Sequence, residues 1–456
     1  MKNLYRIVSV LIIACLSSAR AEVPEAMDPR MPHILSLEER AAVTDAWLKE
    51  RLDAIVGPLM RREGAQMWIL VAGEYNEDPV AKTMLPATWL SARRTTVLVF
   101  FHDRENDTVE RLAVARYPVA DIFPSAWDPE TQPDQWKRLG EIVAERDPET
   151  IAVNVSKTFP LADGLSAAME REVRGALGDY ADRLIERPGL ALGWLETRIP
   201  AEMEAYPTVV RIAHAIIAET FSESSMTPGV TTTNDLRWRL RQRVADLGLD
   251  VWFHPSVHIQ RRKDEAFSIQ NMGLDEGEVI RPGDFLHLDF GITYLRLNTD
   301  TQHHAYVLRP GETQAPKGLR DGLAAANKVQ DALTREFAVG LTGNELLTRA
   351  RRRALRSVKK PSIYSHPIGY HGHGAGPWVG MWDNQETAGA RGDRPVYPNT
   401  AWSIELNAEA DVPEWDGQSV RFMTEEDAYF DGETVRYLDG RQTEITLIPR
   451  LDALRR

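Results

Sequence analysis

The chain has 456 residues, more than one typical hydrophobic core organises, so two domains are expected. Acidic residues outnumber basic ones by 67 to 54, and the formal net charge of −13 argues against nucleic acid as a partner. The single cysteine, Cys15, lies in a leader-like amino-terminal segment, which leaves the rest of the chain without a disulfide or a Cys-based zinc site.

In that segment Lys2 and Arg6 precede an apolar run, Ile7 to Leu16, that is too short to span a bilayer. Ala19-Arg20-Ala21 supplies an A-x-A cleavage site. Residues 1–21 therefore read as a signal peptide, with a mature chain starting at Glu22 and export to a bacterial periplasm as the expectation. Ile12-Ile13-Ala14-Cys15 also reads as a lipobox, in which case Cys15 would carry a lipid and tether the protein to a membrane. Removal of residues 1–21 takes away three basic groups and no acid, so the remaining chain is more acidic still.

From Leu35 to about Leu190 helical and strand-like pieces alternate. A helix is expected over Glu39 to Gly64, and strands over Met67 to Ala72, Thr96 to His102, Arg111 to Tyr117 and Thr150 to Val155. This is an α/β domain, assigned to residues 22–195. It contains no Gly-rich phosphate loop, no dense group of histidines and acids and no nucleophile elbow, so no chemistry is assigned to it. The turn-rich stretch Arg187 to Pro200 marks its end.

The second domain, residues 196–456, is expected to open with a helix from about Pro207 to Ser222. There Val209, Val210, Ile212, Ala213, Ile216 and Ile217 mark the buried side, and His214 reads as a packed core histidine. Helices follow over Thr233 to Leu247, Gly318 to Ala338 and Asn344 to Val358, with strand material at Val251 to Ile259 and a last hundred residues of strands and turns. The basic run from Arg349 to Lys360 belongs to the solvated face of the last of these helices, since Leu346, Leu347, Ala350 and Ala354 form its apolar stripe.

Five side chains in this domain carry the chemistry: Asp289 in H-L-D-F-G, Asp300 in N-T-D-T, His366 in S-H-P-I-G, Glu405 in S-I-E-L-N and Glu426 in E-E-D-A-Y-F. Four carboxylates and one imidazole gathered at one point repel strongly in a low-dielectric interior unless cations neutralise them. Oxygen-rich ligation with one nitrogen and no sulfur suits manganese, zinc, cobalt or iron as divalent ions, and a metal pair can serve hydrolysis. Strand alternation supports two of the positions. It sets His287 and Asp289 opposite Leu286, Leu288 and Phe290, and Ser403 and Glu405 opposite Trp402, Ile404 and Leu406.

At these residues, over roughly Trp194 to Ile448, the chain resembles the pita-bread metallopeptidases of family M24: Xaa-Pro aminopeptidases, prolidases and methionine aminopeptidases. Phe285-Leu-His-Leu-Asp289-Phe-Gly leads to Asp300 eleven residues on, the separation that family shows across a hairpin. Ser365-His366-Pro-Ile-Gly369-Tyr-His-Gly-His373 fits S/G-H-x-x-G-x-x-x-H, and Asp393-Arg-Pro-Val-Tyr-Pro398-Asn-Thr-Ala-Trp-Ser403-Ile-Glu405 is close to D-R-x-L-x-P-G-M-V-x-T-x-E.

The resemblance implies a creatinase-like amino-terminal α/β domain before a pita-bread catalytic domain of α+β type. It also implies two divalent ions, manganese first with zinc, cobalt or iron as alternatives. Asp289, Asp300, His366, Glu405 and Glu426 would hold them. Glu405 would take a proton from a hydroxide-forming water that bridges the metals, and His373 would steady the oxyanion. The substrate would be the amino-terminal bond of short peptides, Xaa-Pro among them, and the protein a homodimer. Two departures stand out. Arg421 is separated from Glu425-Glu426-Asp427 by three residues where the family has R-x-E and then an acid or histidine; Asp427 points to Glu426 as the last ligand, and a bulge would put Glu425 there instead. The family's D-x-T-R-T becomes Asp300-Thr-Gln-His303-His304, and a substrate-side histidine expected upstream of Asp289 is replaced by Met272, with His258 as the nearest substitute. A metal-free creatinase-like amidinohydrolase and a non-catalytic peptide-binding module on the same fold are the alternatives; the first conflicts with the presence of all five ligand types.

Overall fold

In a computed structural model of the chain, residues 31–262 and 277–450 are described. The expected signal peptide, Cys15 and Met272 lie outside them. The fold is mixed α/β, with an amino-terminal domain followed by a catalytic-type domain of helices around several small sheets.

The amino-terminal domain is built on one five-stranded sheet in the order β3-β2-β1-β4-β5: β1 Met67–Gly73, β2 Thr95–Asp103, β3 Thr108–Val114, β4 Ile151–Val153 and β5 Leu184–Glu186. The first strand is apolar throughout because both of its faces are covered. Trp68, Leu70 and Ala72 pack towards the long helix Leu37–Glu63, while Met67, Ile69 and Val71 pack with residues of the helices Gln135–Arg146 and Ala167–Leu177. Ser36 and Glu39 close a capping box at the start of that long helix, and Gly64 ends it in the left-handed region at φ 68°. The third strand begins three residues before the expected Arg111, because its polar Thr108 and Glu110 belong to a solvent-facing edge that apolar content does not reveal.

The following helix also begins earlier than expected, at Pro200 instead of Pro207, and carries Pro207 in its interior. Both prolines suit a first helical turn. Pro200 takes that position because Glu202, two residues on, accepts a hydrogen bond from Ile199 N (3.0 Å). Glu202 further anchors one domain to the other. Fully buried Arg51, from the long amino-terminal helix, donates to it (2.9 Å) and to Thr197 O (2.6 Å), and Arg198 lies 3.3 Å from its second oxygen.

The second domain is folded from β6 Ser256–Gln260, β7 Phe285–Phe290, the short pair β8 Thr293–Tyr294 and β9 Leu297–Asn298, β10 Thr301–Val307, β11 Ser362–Ile363, β12 His366–Ile368, β13 Thr400–Ser403, β14 Leu406–Val412, β15 Gln418–Thr424, β16 Asp427–Phe430, β17 Val435–Tyr437 and β18 Thr446–Ile448. They form sheets in the orders β18-β10-β7-β6, β11-β14-β15 and β12-β13-β16-β17. Strands β13 and β14 are nearly continuous, as are β15 and β16. Each run changes sheet at a two-residue break, Ile404-Glu405 in one and Glu425-Glu426 in the other. Those breaks free the carboxylates of Glu405 and Glu425 to reach the end of β10, where an isolated bridge joins Gln302 to Glu425. Among the described residues no helix is long and apolar enough to cross a membrane.

Candidate metal centre

Asp289 lies near the end of β7 and pairs in register with Gln302 of β10, which places Asp300 just before that strand and beside it. The Asp300 backbone is fixed by the Asp427 carboxylate, whose two oxygens accept from its N–H at 3.3 and 3.2 Å. Two residues earlier, Asn298 donates from both its backbone N (2.8 Å) and its Nδ2 (2.9 Å) to Gly369 O, tying this loop to the end of the His366 strand. His366 faces Ser403 across β12 and β13, and Ser403 faces Asp427 across β13 and β16. Three strand connections thus converge, and Asp289, Asp300, His366, Glu405 and Glu425 come together.

The imidazole of His366 shows what this arrangement needs. Its Nδ1 hydrogen-bonds to Pro367 O (3.1 Å), which leaves Nε2 as the lone-pair nitrogen. That atom is buried without a hydrogen-bond partner, 3.8 Å from Asp300 Oδ2, 3.9 Å from Glu405 Oε2 and 3.8 Å from Glu425 Oε1. Burial, with a smaller contribution from His373, holds its pKa down to about 3, so the ring is neutral. Asp289 Oδ1 is likewise buried and unpartnered. Burial and then mutual repulsion, chiefly from Glu425, push Asp289, Asp300 and Glu405 well above the usual carboxylate range. Burial raises Glu425 to about 7, although Ser403, Gln302 and Asp300 hydrogen-bond to it. A neutral nitrogen lone pair facing several carboxylate oxygens is an arrangement that cations stabilise. The donor set therefore fits divalent metal ions.

Glu426, the expected fifth ligand, faces the other way. Successive residues of an extended chain point to opposite sides, so only one of the two adjacent glutamates can enter the cluster. It is Glu425. The Glu426 carboxylate is already satisfied on the far side: His214 Nε2 lies 3.1 Å from Oε2, His303 Nε2 3.0 Å from Oε1, and the Gln442 N–H donates to Oε1 at 2.7 Å. Burial opposes its ionisation, but His303 and His214 overcome that and hold its pKa at about 2. His214 is the core histidine the sequence implied, though the acids that hold it were not foreseen. Its Nδ1 lies 3.0 Å from Asp439, and Arg211 donates to the same carboxylate at 2.9 Å.

Residues 205–430, which contain all five clustered side chains, match the profile of metallopeptidase family M24. The carboxy-terminal domain belongs to metallopeptidase family M24. A search of curated protein sequences gives no match. Among solved structures, the chain is similar to the X-Pro aminopeptidase from Thermotoga maritima, with 17% identity and a TM-score of 0.60 over 86% of this chain and 99% of that one. It is also similar to the Xaa-Pro dipeptidase from Bacillus anthracis (16% identity, TM-score 0.56, 90% of this chain and 100% of that one) and to the prolidase from Pyrococcus furiosus (15%, 0.53, 85% and 99%). At these identities the likeness is one of fold: an amino-terminal domain followed by a pita-bread catalytic domain.

A cavity of about 590 Å³ opens beside the cluster of the M24 domain, within the size range of small-ligand sites. Its walls come from both domains. Phe159, Pro160 and Leu161 belong to the amino-terminal domain, and Trp252, His373, Trp378 and Arg391 to the M24 domain. His373 is exposed to this space, with its ring centroid 4.7 Å from that of His366 and 5.2 Å from that of Trp252. The His371-Gly-His373 segment lies so close to Trp252 that a Cβ at Gly372 would fall 2.2 Å from the indole, so glycine is needed there. Arg391 stacks 4.7 Å from the Trp378 ring centroid, and among the described residues no carboxylate pairs with it. His258 does not take part in the cluster; it stacks on His287, ring centroids 5.8 Å apart.

Proposed function

We propose that this protein is a metal-dependent peptidase that binds two divalent ions and releases the amino-terminal residue of short peptides, Xaa-Pro peptides included. The observation that carries this reading is the buried, unprotonated Nε2 of His366 aimed at three carboxylate oxygens 3.8 to 3.9 Å away. Asp289, Asp300, His366, Glu405 and Glu425 would hold the ions, with manganese the first candidate and zinc, cobalt and iron the others. Bound there, they supply Lewis acidity and an activated water at neutral pH.

The chain's own groups divide the remaining work. Glu405 keeps some solvent access, with its side chain 19% exposed, and its carboxylate is the group placed to take the proton that the attacking water gives up. His373, whose pKa burial lowers, is a neutral N–H donor for the oxygen of the scissile carbonyl as charge develops on it. The apolar walls formed by Phe159, Leu161, Trp252 and Trp378 suit a proline ring or an apolar side chain. Arg391 suits the terminal carboxylate of a peptide short enough to lie wholly within the cavity. Homodimerisation and export through the Lys2 to Ala21 leader belong to the same proposal; cell fractionation checks the latter.

The test is metal content per chain after purification without chelators, combined with hydrolysis of Xaa-Pro and proline-free dipeptides on adding manganese. About two ions with dipeptide cleavage are expected. No uptake under saturating manganese would overturn the reading in favour of a metal-free hydrolase or a binding module.

A further inference from the structure

Gln302 occupies the position where the related pattern D-x-T-R-T has a threonine, and a single hydroxyl there could donate only one hydrogen bond. Its amide nitrogen donates to Glu405 Oε1 (3.0 Å) and to Glu425 Oε2 (2.6 Å), so one N–H goes to each carboxylate. The other oxygens of these two glutamates are the ones turned to His366 Nε2. Backbone bonds from Gln302 N to Glu425 O (3.0 Å) and from Glu425 N back to Gln302 O (3.4 Å) hold the residue in place.

The amide is itself oriented. His287 Nε2 lies 2.8 Å from Gln302 Oε1, an oxygen that can only accept, so the imidazole N–H donates to it while Nδ1 has no partner. With the amide turned over, its oxygen would face two carboxylates. The neutral amide therefore keeps two repelling glutamates apart without cancelling the negative charge that attracts cations. Arginine or lysine here would cancel it.

We propose that Gln302 is a positioning residue of the metal centre, fixing the outer oxygens of Glu405 and Glu425 so that their inner oxygens stay aimed at the ions. This rests on the metallopeptidase reading above. Its test compares wild type, Gln302→Met and Gln302→Glu loaded with cobalt(II). Gln302→Met keeps the length and loses both amide functions. Gln302→Glu keeps the volume and an acceptor for His287 but loses the donors, and serves if the Met variant does not fold. Cobalt stoichiometry, the visible ligand-field spectrum, and kcat and KM on one dipeptide are measured. The expectation is full loading in all three, a shifted spectrum in the variants, a kcat about 10- to 100-fold lower, and a KM within about twofold of wild type. A loaded, active wild type whose variants share its spectrum and kcat overturns this inference alone. A change confined to KM overturns it as well. A wild type that takes up no cobalt overturns the function and this inference together.

Discussion

Two groups of histidines and acids lie back to back across the single peptide bond between Glu425 and Glu426, and they solve opposite problems. In the group around Glu426 the charges pair off: Arg211 with Asp439, and His214, cationic because its pKa is raised to about 9, with Glu426. Every oxygen of Glu426 has a donor. In the group around Glu425 four carboxylates face one neutral imidazole, and two buried atoms, His366 Nε2 and Asp289 Oδ1, have no partner at all. Three-residue sets with metal-binding spacing occur in both. Residue type and spacing therefore do not identify a metal centre. The balance of charges and the satisfaction of lone pairs do.

The sharpest way to break this comparison is to neutralise each glutamate in turn. Glu425→Gln should lose bound metal and reduce kcat/KM by more than about 100-fold, since altering even an outer-shell partner of a metal ligand costs about 10- to 100-fold. Glu426→Gln should keep both ions but destabilise the fold by about 3–5 kcal/mol, because it leaves the buried His214 cation short of a counter-charge. Metal analysis and denaturant unfolding on both variants decide the matter, and metal loss from Glu426→Gln alone would reverse the assignment. A smaller effect is expected from His373→Ala: metal content unchanged and kcat lower by about 100-fold, the scale of a lost oxyanion donor.

Much of this site could be read from the sequence, and its failures are instructive. Asp289 and Glu405 were legible from strand alternation and from the resemblance to family M24, and Asp300 and His366 from the motifs of that resemblance alone. The last position depended on a one-residue register across a sheet change, and a one-residue slip moves a side chain to the opposite face. A clue was nevertheless available: His214, on a helix otherwise lined by apolar residues, needs an acidic partner, and assigning it Glu426 leaves Glu425 for the cluster. In the amino-terminal domain, apolar β1 and β2 were readable because they are covered on both faces, whereas the polar edge strand β3 was misplaced. The contribution of Phe159 to Leu161 to the cavity was invisible, since it depends on how two distant segments pack. So was the Gln302 clamp, which needs the pairing of Gln302 with Asp289 and its bridge to Glu425.

The two groups should also differ in whether metal alters their response to pH, and the first comparison needs no mutation. With metal chelated, Glu425 has a folded pKa raised by burial from 4.5 to about 7, so the folded state binds the extra proton and stability falls as pH rises through that window. The slope for one proton is at most about 1.4 kcal/mol per pH unit, and saturating metal should abolish it, since ions take over the charge that the proton neutralised. His214 is different. Burial would depress its pKa, but Asp439 and Glu426 raise it from 6.5 to about 9, so its contribution is complete below pH 6.5 and lost as pH rises to 9. Glu426, held at about 2 against the pull of burial, contributes above pH 4.5 and loses that contribution as pH falls towards 2. Neither of these limbs should depend on metal. Unfolding free energies of chelated and metal-loaded protein across pH 4 to 9 should therefore separate as pH rises from about 4.5 to 7 and then run parallel down one alkaline decline. In His214→Gln the alkaline decline should flatten in both states, and a decline that persisted unchanged would show that the group around Glu426 is not held together by a buried imidazolium.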